Sequence, residues 1–262
     1  MSKSKIRHEG VSPTDAVNPK SEIDRIPYLT TDQMREVDRA MIEDYHIELI
    51  QMMENAGRNL AHLARTRFLG GDPRGKQVVV LSGTGGNGGG GLVCARRLHT
   101  WGAKVHVFTT GPDETYRGVP AHQLDILRRL HVPVIPAEQI EGLPPADLFI
   151  DAIIGYSLSG APRGTAAALI RWANAHQAPT LSLDTPSGVD TTTGAVHDPS
   201  IRATATMTLA LPKEGLRSPL VSKAIGELYL ADISVPPSLY AGPGLELSVD
   251  PLFAQEDIIR LF

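Results

Sequence analysis

Hydrophobic positions change their period partway along this chain. Before residue 70 they recur at helical spacing: Met34, Val37 and Met41 share one face, and Met53, Ala56, Leu60 and Leu63 share another. Thr30-Thr31-Asp32-Gln33 reads as a capping box that opens the first helix. The second is predicted over about Leu49 to Phe68 and stops at Gly70-Gly71-Asp72-Pro73. From Val78 onward the pattern becomes short apolar runs: 78–81, 105–108, 148–150, 181–183, 206–209 and 228–230. Such runs suit strands buried on both faces. Helical stretches separate several of them: Leu92–Trp101, a segment from Pro120 with Leu124, Ile126, Leu127 and Leu130, and Ala166–Ala175. This alternation predicts an α/β fold with a mostly parallel central sheet and helices on both faces. The two leading helices are expected to cover one face or edge.

Length and composition narrow the picture. The 262 residues suit one large domain, and 42% hydrophobic residues are enough for a core. The expected organisation is a flexible leader over 1–26, a domain over 27–240 and a tail over 241–262. The leader lacks an apolar stretch of the secretory kind. No run reaches the roughly 18 apolar residues of a membrane span. A cytoplasmic protein without a membrane partner is expected. The charge, 25 − 29 = −4, gives no footprint for nucleic acid. The single cysteine, Cys94, excludes an internal disulfide and a multi-cysteine metal site.

The candidate chemistry sits after the strands. Gly83-Thr84-Gly85-Gly86-Asn87-Gly88-Gly89-Gly90-Gly91 follows one strand and precedes a helix, where backbone N–H groups can hold an anion. Seven glycines in nine residues are costly in chain entropy, so close approach of something to this backbone is expected. No acid ends the following strand, Phe108-Thr109-Thr110, so ordinary dinucleotide ribose recognition is not indicated. No Gly-Lys-Ser/Thr follows either, which excludes a P-loop. Asp151 and Asp184 each follow a strand, and ligands of open parallel sheets bind outside such strand ends. Both carboxylates are expected to face the crevice. Capping of a turn is the ordinary role of either alone. In Asp184-Thr185-Pro186-Ser187-Gly188-Val189-Asp190, Pro and Gly bracket Ser187 and are expected to hold its hydroxyl near Asp184. The flanks of Ser187 are not those of a hydrolase nucleophile. Lys213 is open to two readings, a phosphate contact or a solvated surface lysine.

Taken in order, these segments resemble the YjeF N-terminal domain family, the NAD(P)H-hydrate epimerases, over roughly Leu29 to Pro237. The resemblance rests on Leu29-Thr30-Thr31-Asp32-Gln33-Met34 with Asp38, Met53-Glu54-Asn55-Ala56-Gly57, the glycine segment, Asp151-Ala152-Ile153-Ile154-Gly155, Asp184 to Asp190, and Pro212-Lys213-Glu214-Gly215-Leu216. It implies a Rossmann-like three-layer sandwich, usually a homodimer, that epimerises hydrated NADH and NADPH. It implies a potassium ion held by Asn87, Asp151 and Ser187, whose oxygens suit a hard cation. It implies that Asp184 contacts the hydrated nicotinamide as acid/base. Gly85, Gly86, Asn87, Gly88, Gly89 and Gly90, with the loop Gly155, Tyr156, Ser157, Leu158, Ser159, Gly160 and Ala161, are then implied to line the same substrate.

Two positions depart from the family pattern. Its loop reads GNNGGDG, whereas Gly86 stands here for the first Asn and Gly90 for the Asp. A wider pocket with one charge fewer follows. Two readings remain open at this point: an epimerase with altered loop, or a repurposed relative that hydrates, dehydrates, isomerises or cyclises another small molecule. The kinase-like dehydratase domain that many bacterial relatives carry is not expected in this chain.

Overall fold

The computed structural model describes Ile23, residues 25–140 and residues 145–262. The expected leader lies outside the described residues except for Ile23, Arg25 and Ile26. Helix α1 (Thr31–Glu43) starts where the capping box predicts. Thr30 Oγ1 accepts from the Gln33 N–H at 3.1 Å, and the Gln33 side chain accepts from the Thr30 N–H at 2.9 Å. Helix α2 (Leu49–Leu63) continues as one π-helical turn, Ala64–Phe68, so the helical path ends at the predicted residue.

Strands and helices then alternate: β1 (Gln77–Ser82), α3 (Gly86–Thr100), β2 (Lys104–Thr109), α4 (Gly118–Arg129), β3 (Val134–Pro136), β4 (Leu148–Ala152), α5 (Gly164–Asn174), β5 (Thr180–Leu183) and β6 (Ala205–Leu209). Helix α6 (Ser222–Ile225), β7 (Glu227–Ala231), α7 (Pro237–Tyr240) and β8 (Ile258–Arg260) complete the order. The eight strands lie as β3-β2-β1-β4-β5-β6-β7-β8, all parallel except β8, which runs antiparallel to β7. Period-two alternation builds the layers. Val78 and Val80 pack with Leu60, Leu92, Leu98 and Leu127 of α2, α3 and α4. Val79 and Leu81 point the other way, to Leu169 and Ile170 of α5. The result is a three-layer α/β sandwich.

Three features differ from expectation. Strand β3 is a short edge element ending in Pro136, which cannot donate to a ladder, so no periodicity marks it. The expected tail carries β8, whose residues Ile258–Arg260 pair with Tyr229–Ala231. Helix α3 begins at Gly86 rather than Leu92, so most of the glycine segment is helical. Packing explains those glycines. A Cβ on Gly89 would lie 2.6 Å from Met53 Sδ, and one on Gly91 would lie 2.5 Å from Ala152 Cβ. From the other side, a Cβ on Gly57 of α2 would lie 2.4 Å from Val93 Cβ. The helix is pressed between α2 and the sheet.

The chain leaves β1 for β2 through α3, and β4 lies on the other side of β1. The crevice between the carboxyl ends of β1 and β4 is therefore the topological switch point, where such sheets bind ligands. One test concerns the contact that aims α3 at this crevice. Gly91→Ala gains helix propensity of up to about 1 kcal/mol. It is nevertheless expected to lower stability by about 1–3 kcal/mol, because the methyl has no room against Ala152. A urea midpoint at or above that of the parent would show that the helix does not sit this close to β4.

Candidate active site

A cavity of about 200 Å³ lies at the switch point, beneath α1 and α2. Its floor consists of strand ends and the turns after them: Gly155 and Tyr156 after β4, Leu183 and Asp184 at β5, Leu209 of β6, and Lys213. Met34 and Asp38 of α1, with Met52 and Met53 of α2, form the roof. Gly86, Asn87 and Gly90 of α3 form a wall. The volume suits one ring and its substituents rather than a whole dinucleotide.

Asp184 adopts a left-handed backbone, φ +66°. Aspartate tolerates this region better than most residues. Its N–H still donates to the Met207 carbonyl at 2.7 Å, so the ladder persists to the last residue before the chain turns away. One carboxylate oxygen accepts from the Lys213 ammonium and the other from the Tyr156 N–H at 2.9 Å. Lys213 has no solvent exposure at all. Its ammonium also donates to Thr208 Oγ1 at 3.2 Å and to the Leu209 carbonyl at 3.0 Å. All three of its protons therefore have acceptors. Lys213 is neither a phosphate contact nor a surface lysine: a buried ammonium needs a paired anion, and Asp184 supplies it.

Asp151 departs from expectation. It has 0% exposure and does not line the cavity. Its carboxylate accepts from Ser182 Oγ at 2.8 Å, the Ser187 N–H at 2.8 Å, Ser187 Oγ at 2.6 Å and the Ile153 N–H at 3.3 Å. Burial pushes its pKa up, against the hydrogen bonds from Ser187, Ser182 and Ile153. The Ser187 hydroxyl thus turns to Asp151 and not to Asp184. It also accepts from the Ile154 N–H at 2.9 Å, which fixes the start of the loop after β4.

Of the glycine segment, Gly86, Asn87 and Gly90 reach the cavity. Gly85 is the exposed N-cap of α3. Gly88 and Gly89 are buried in packing: a Cβ on Gly88 would lie 1.8 Å from the Gly83 carbonyl oxygen. Asn87 Nδ2 is buried without a partner. Of the following loop, Gly155, Tyr156 and Ser157 line the cavity, whereas Leu158, Ser159, Gly160 and Ala161 lie farther along it. Gly155 permits the close approach of two site residues: a Cβ there would lie 3.1 Å from Asp184 Oδ2 and 3.2 Å from Asn87 Cγ.

Sequence reasoning gave Asp38 no chemical role. The phenol of Tyr156 donates to Asp38 Oδ2 at 2.5 Å. Burial raises the Asp38 pKa, opposed by the Tyr156 hydrogen bond and by the charge of Lys213, and assisted by Asp184. The Tyr156 phenol is pushed well above its ordinary range, by burial first and by the Asp38 carboxylate second. The sequence signal was available: Asp38 stands four residues after Met34, an acid on the apolar face of α1.

Residues 49–215 match the family described as YjeF-related protein N-terminus. The chain belongs to that family. An NAD(P)H-hydrate epimerase of Dehalogenimonas lykanthroporepellens is 42% identical over 230 residues, covering 86% of this chain and 89% of that protein. One from Rhodopirellula baltica is 31% identical, covering 81% and 86% respectively. A bifunctional NAD(P)H-hydrate repair enzyme of Salinibacter ruber is 37% identical over 80% of this chain, which spans 41% of that longer protein. The crystal structure of yeast YNL200c superposes with a TM-score of 0.74 at 26% identity, over 90% of this chain and all of that one.

The two family positions replaced by glycine here differ in the space around them. Neither has a positive φ, and a Cβ on Gly86 would meet only Met53 Cε at 3.7 Å, whereas one on Gly90 would lie 2.7 Å from Leu183 Cδ2. Gly86→Asn is therefore expected to change stability by less than about 0.5 kcal/mol. Gly90→Asp should lower it by about 1–3 kcal/mol, since buried Leu183 must turn. Thermal melts of the two variants check this, and equal melting temperatures would contradict the geometry.

Proposed function

We propose that this protein interconverts the R and S hydrates of NADH and NADPH. One observation carries the reading: the Asp184 carboxylate faces a ring-sized cavity in a chain 42% identical to an NAD(P)H-hydrate epimerase. Inversion at C6 of the hydrated nicotinamide requires its hydroxyl to leave and water to return on the other face. The intermediate is an iminium cation. The Asp184 carboxylate stabilises that charge and takes the proton of the returning water. Lys213 and the Tyr156 N–H fix its orientation, so little reorganisation accompanies the charge change. The free N–H groups at the start of α3 suit the dinucleotide phosphates outside the cavity. The alternative, a repurposed relative, draws on Gly86 and Gly90. The epimerase name of two relatives that match most of their length supports the epimerase instead.

A potassium ion at Asn87, Asp151 and Ser187 belongs to the same proposal. The donor set fits, because all three side chains bring oxygen. The Asn87 amide nitrogen is buried and unpartnered, and an amide can present either end. Among the described residues no group of three His, Cys, Asp or Glu gathers, which suits a monovalent ion better than a transition metal. The ion would supply a fixed positive charge beside the substrate. No described helix is long and apolar enough to cross a membrane. A cytoplasmic homodimer is proposed on the family resemblance.

Two measurements test this subsection. Purified protein should speed the interconversion of R and S NADHX, followed by chromatography of the two diastereomers, and Asp184→Asn should lose about 10²–10⁴-fold of that rate. A parent protein no faster than the spontaneous reaction would reject the function. For the ion, the melting temperature should rise when potassium replaces N-methylglucamine, by mass action on the folded state. Asp151→Ala should abolish that rise and cost about 2–4 kcal/mol besides, because it orphans buried donors of Ser182 and Ser187. A parent melt indifferent to potassium would remove the ion from the proposal.

A further inference from the structure

The cavity holds two carboxyl groups in unlike surroundings. Asp184, at the floor, is paired with the buried ammonium of Lys213. Among the described residues, Asp38, in the roof, has no cationic partner among its hydrogen bonds and is met only by the phenol of Tyr156. Tyr156 connects them: its N–H donates to Asp184 at 2.9 Å, and its phenol donates to Asp38 at 2.5 Å. The two carboxyls are therefore held apart by the length of one tyrosine residue, one above the cavity and one below it.

We propose that Asp38 is a second catalytic residue, the acid that protonates the departing C6 hydroxyl on the face opposite Asp184. This rests on the epimerase reading above. An epimerisation with one group on each face of the ring needs an acid where the hydroxyl leaves and a base where the water enters. In the first step the C6–O bond breaks and its electron pair leaves with oxygen. The Asp38 proton converts that hydroxyl to water, and the N1 lone pair forms the C6=N1 bond. In the second, a water below the ring forms the new C6–O bond, its proton passes to Asp184, and the C6=N1 electron pair returns to nitrogen. Asp38 ends ionised and Asp184 protonated. That arrangement runs the reverse epimerisation directly and returns to the starting state by proton exchange with solvent.

The surroundings of Asp38 shift it towards its protonated form. Burial is the largest influence and raises its pKa; Asp184, just after β5, adds to this, while the Tyr156 phenol and Lys213 oppose it. From α2 the cavity receives only Leu49, Met52, Met53 and Ala56, and from α3 the uncharged Gly86, Asn87 and Gly90. On its own helix, Arg35 is engaged with exposed Asp32 at 2.6 Å. The two carboxyls thus differ in partner, a phenol for Asp38 and an ammonium for Asp184.

The test is the pH–rate profile of R and S NADHX interconversion with the full chain, the spontaneous rate subtracted. The parent kcat is expected to fall on the alkaline side through one ionisation above the ordinary carboxyl range. Asp38→Asn should lower kcat by about 10²–10⁴-fold and remove that limb. Tyr156→Phe should move the limb to higher pH, because the phenol no longer favours the carboxylate. A merely structural role for Asp38 would leave the limb where it is. Asp38→Asn within threefold of the parent would overturn the proposal, as would a limb unmoved in Tyr156→Phe. Should Asp38→Asn not fold, the Tyr156→Phe limb decides alone. A parent without activity rejects the epimerase reading and this proposal together, whereas an active parent with an active Asp38→Asn rejects only the second.

Discussion

The contact between Asp184 and Lys213 is the constraint on which the site depends. An ammonium with no exposure is tolerated only with a compensating anion and a full set of acceptors. Meeting both demands shapes the ends of two neighbouring strands. The chain turns through a left-handed residue straight after each of β5 and β6, at Asp184 with φ +66° and at Ala210 with φ +63°. A left-handed residue costs roughly 1–2 kcal/mol. Losing one partner of a buried pair costs about 3–5 kcal/mol, so the pair outweighs the strain of the turn that makes it. The N-terminal segment completes the clamp. The Leu29 N–H donates to the Pro212 carbonyl at 2.8 Å, and the Glu214 N–H donates to the Leu29 carbonyl at 2.9 Å. The backbone on both sides of Lys213 is thereby held while α1 starts directly above the cavity.

A second constraint is distance between backbones. Helix α3 lies so close to α2, to β4 and to the turn after β1 that four positions, Gly57, Gly88, Gly89 and Gly91, have no room for a methyl group. Glycine inside a helix is unfavourable by about 0.5–1 kcal/mol relative to alanine. Here it is offset by contacts that only bare backbone can make, and these bring the free N–H groups of the helix start to the mouth of the crevice. The same approach brings Met53 over Gly86 and Gly89, which makes that part of the roof apolar. Packing and site are thus two consequences of one helix position.

Much of this was legible in the chain. The unbroken apolar runs gave six of the eight strands, since burial on both faces leaves a strong pattern. Strands β3 and β8 escaped because each spans three residues at a sheet edge, one ending in proline and the other only half-buried. Asp184 was identifiable from its place after a strand. Asp151 looked equivalent by the same rule, yet Ser182, the last residue but one of β5, captures its carboxylate before it reaches the crevice. Which of two strand-end acids stays open is decided by a neighbouring strand, and local spacing does not carry that. Lys213 was opaque for a like reason: its burial depends on an anion 29 residues earlier in the chain.

The charges of the cavity form a system that these placements explain together. Its ionisable lining residues are Asp38, Tyr156, Asp184 and Lys213. With the proton on Asp38 and on Tyr156, the set is neutral, since Asp184 and Lys213 cancel. When Asp38 gives up its proton, its negative charge appears at the moment the ring becomes positive. Separated charges are expensive in such surroundings, and a charge born beside its opposite is much less so. A third carboxylate in the wall would upset this balance, repelling Asp184 and holding the Asp38 proton more tightly. Glycine at position 90 keeps that wall uncharged, with Leu183 filling the space a side chain would take. The loop that departs from the family pattern is therefore consistent with an acid supplied from α1, on the opposite side of the ring from the carboxylate at the floor.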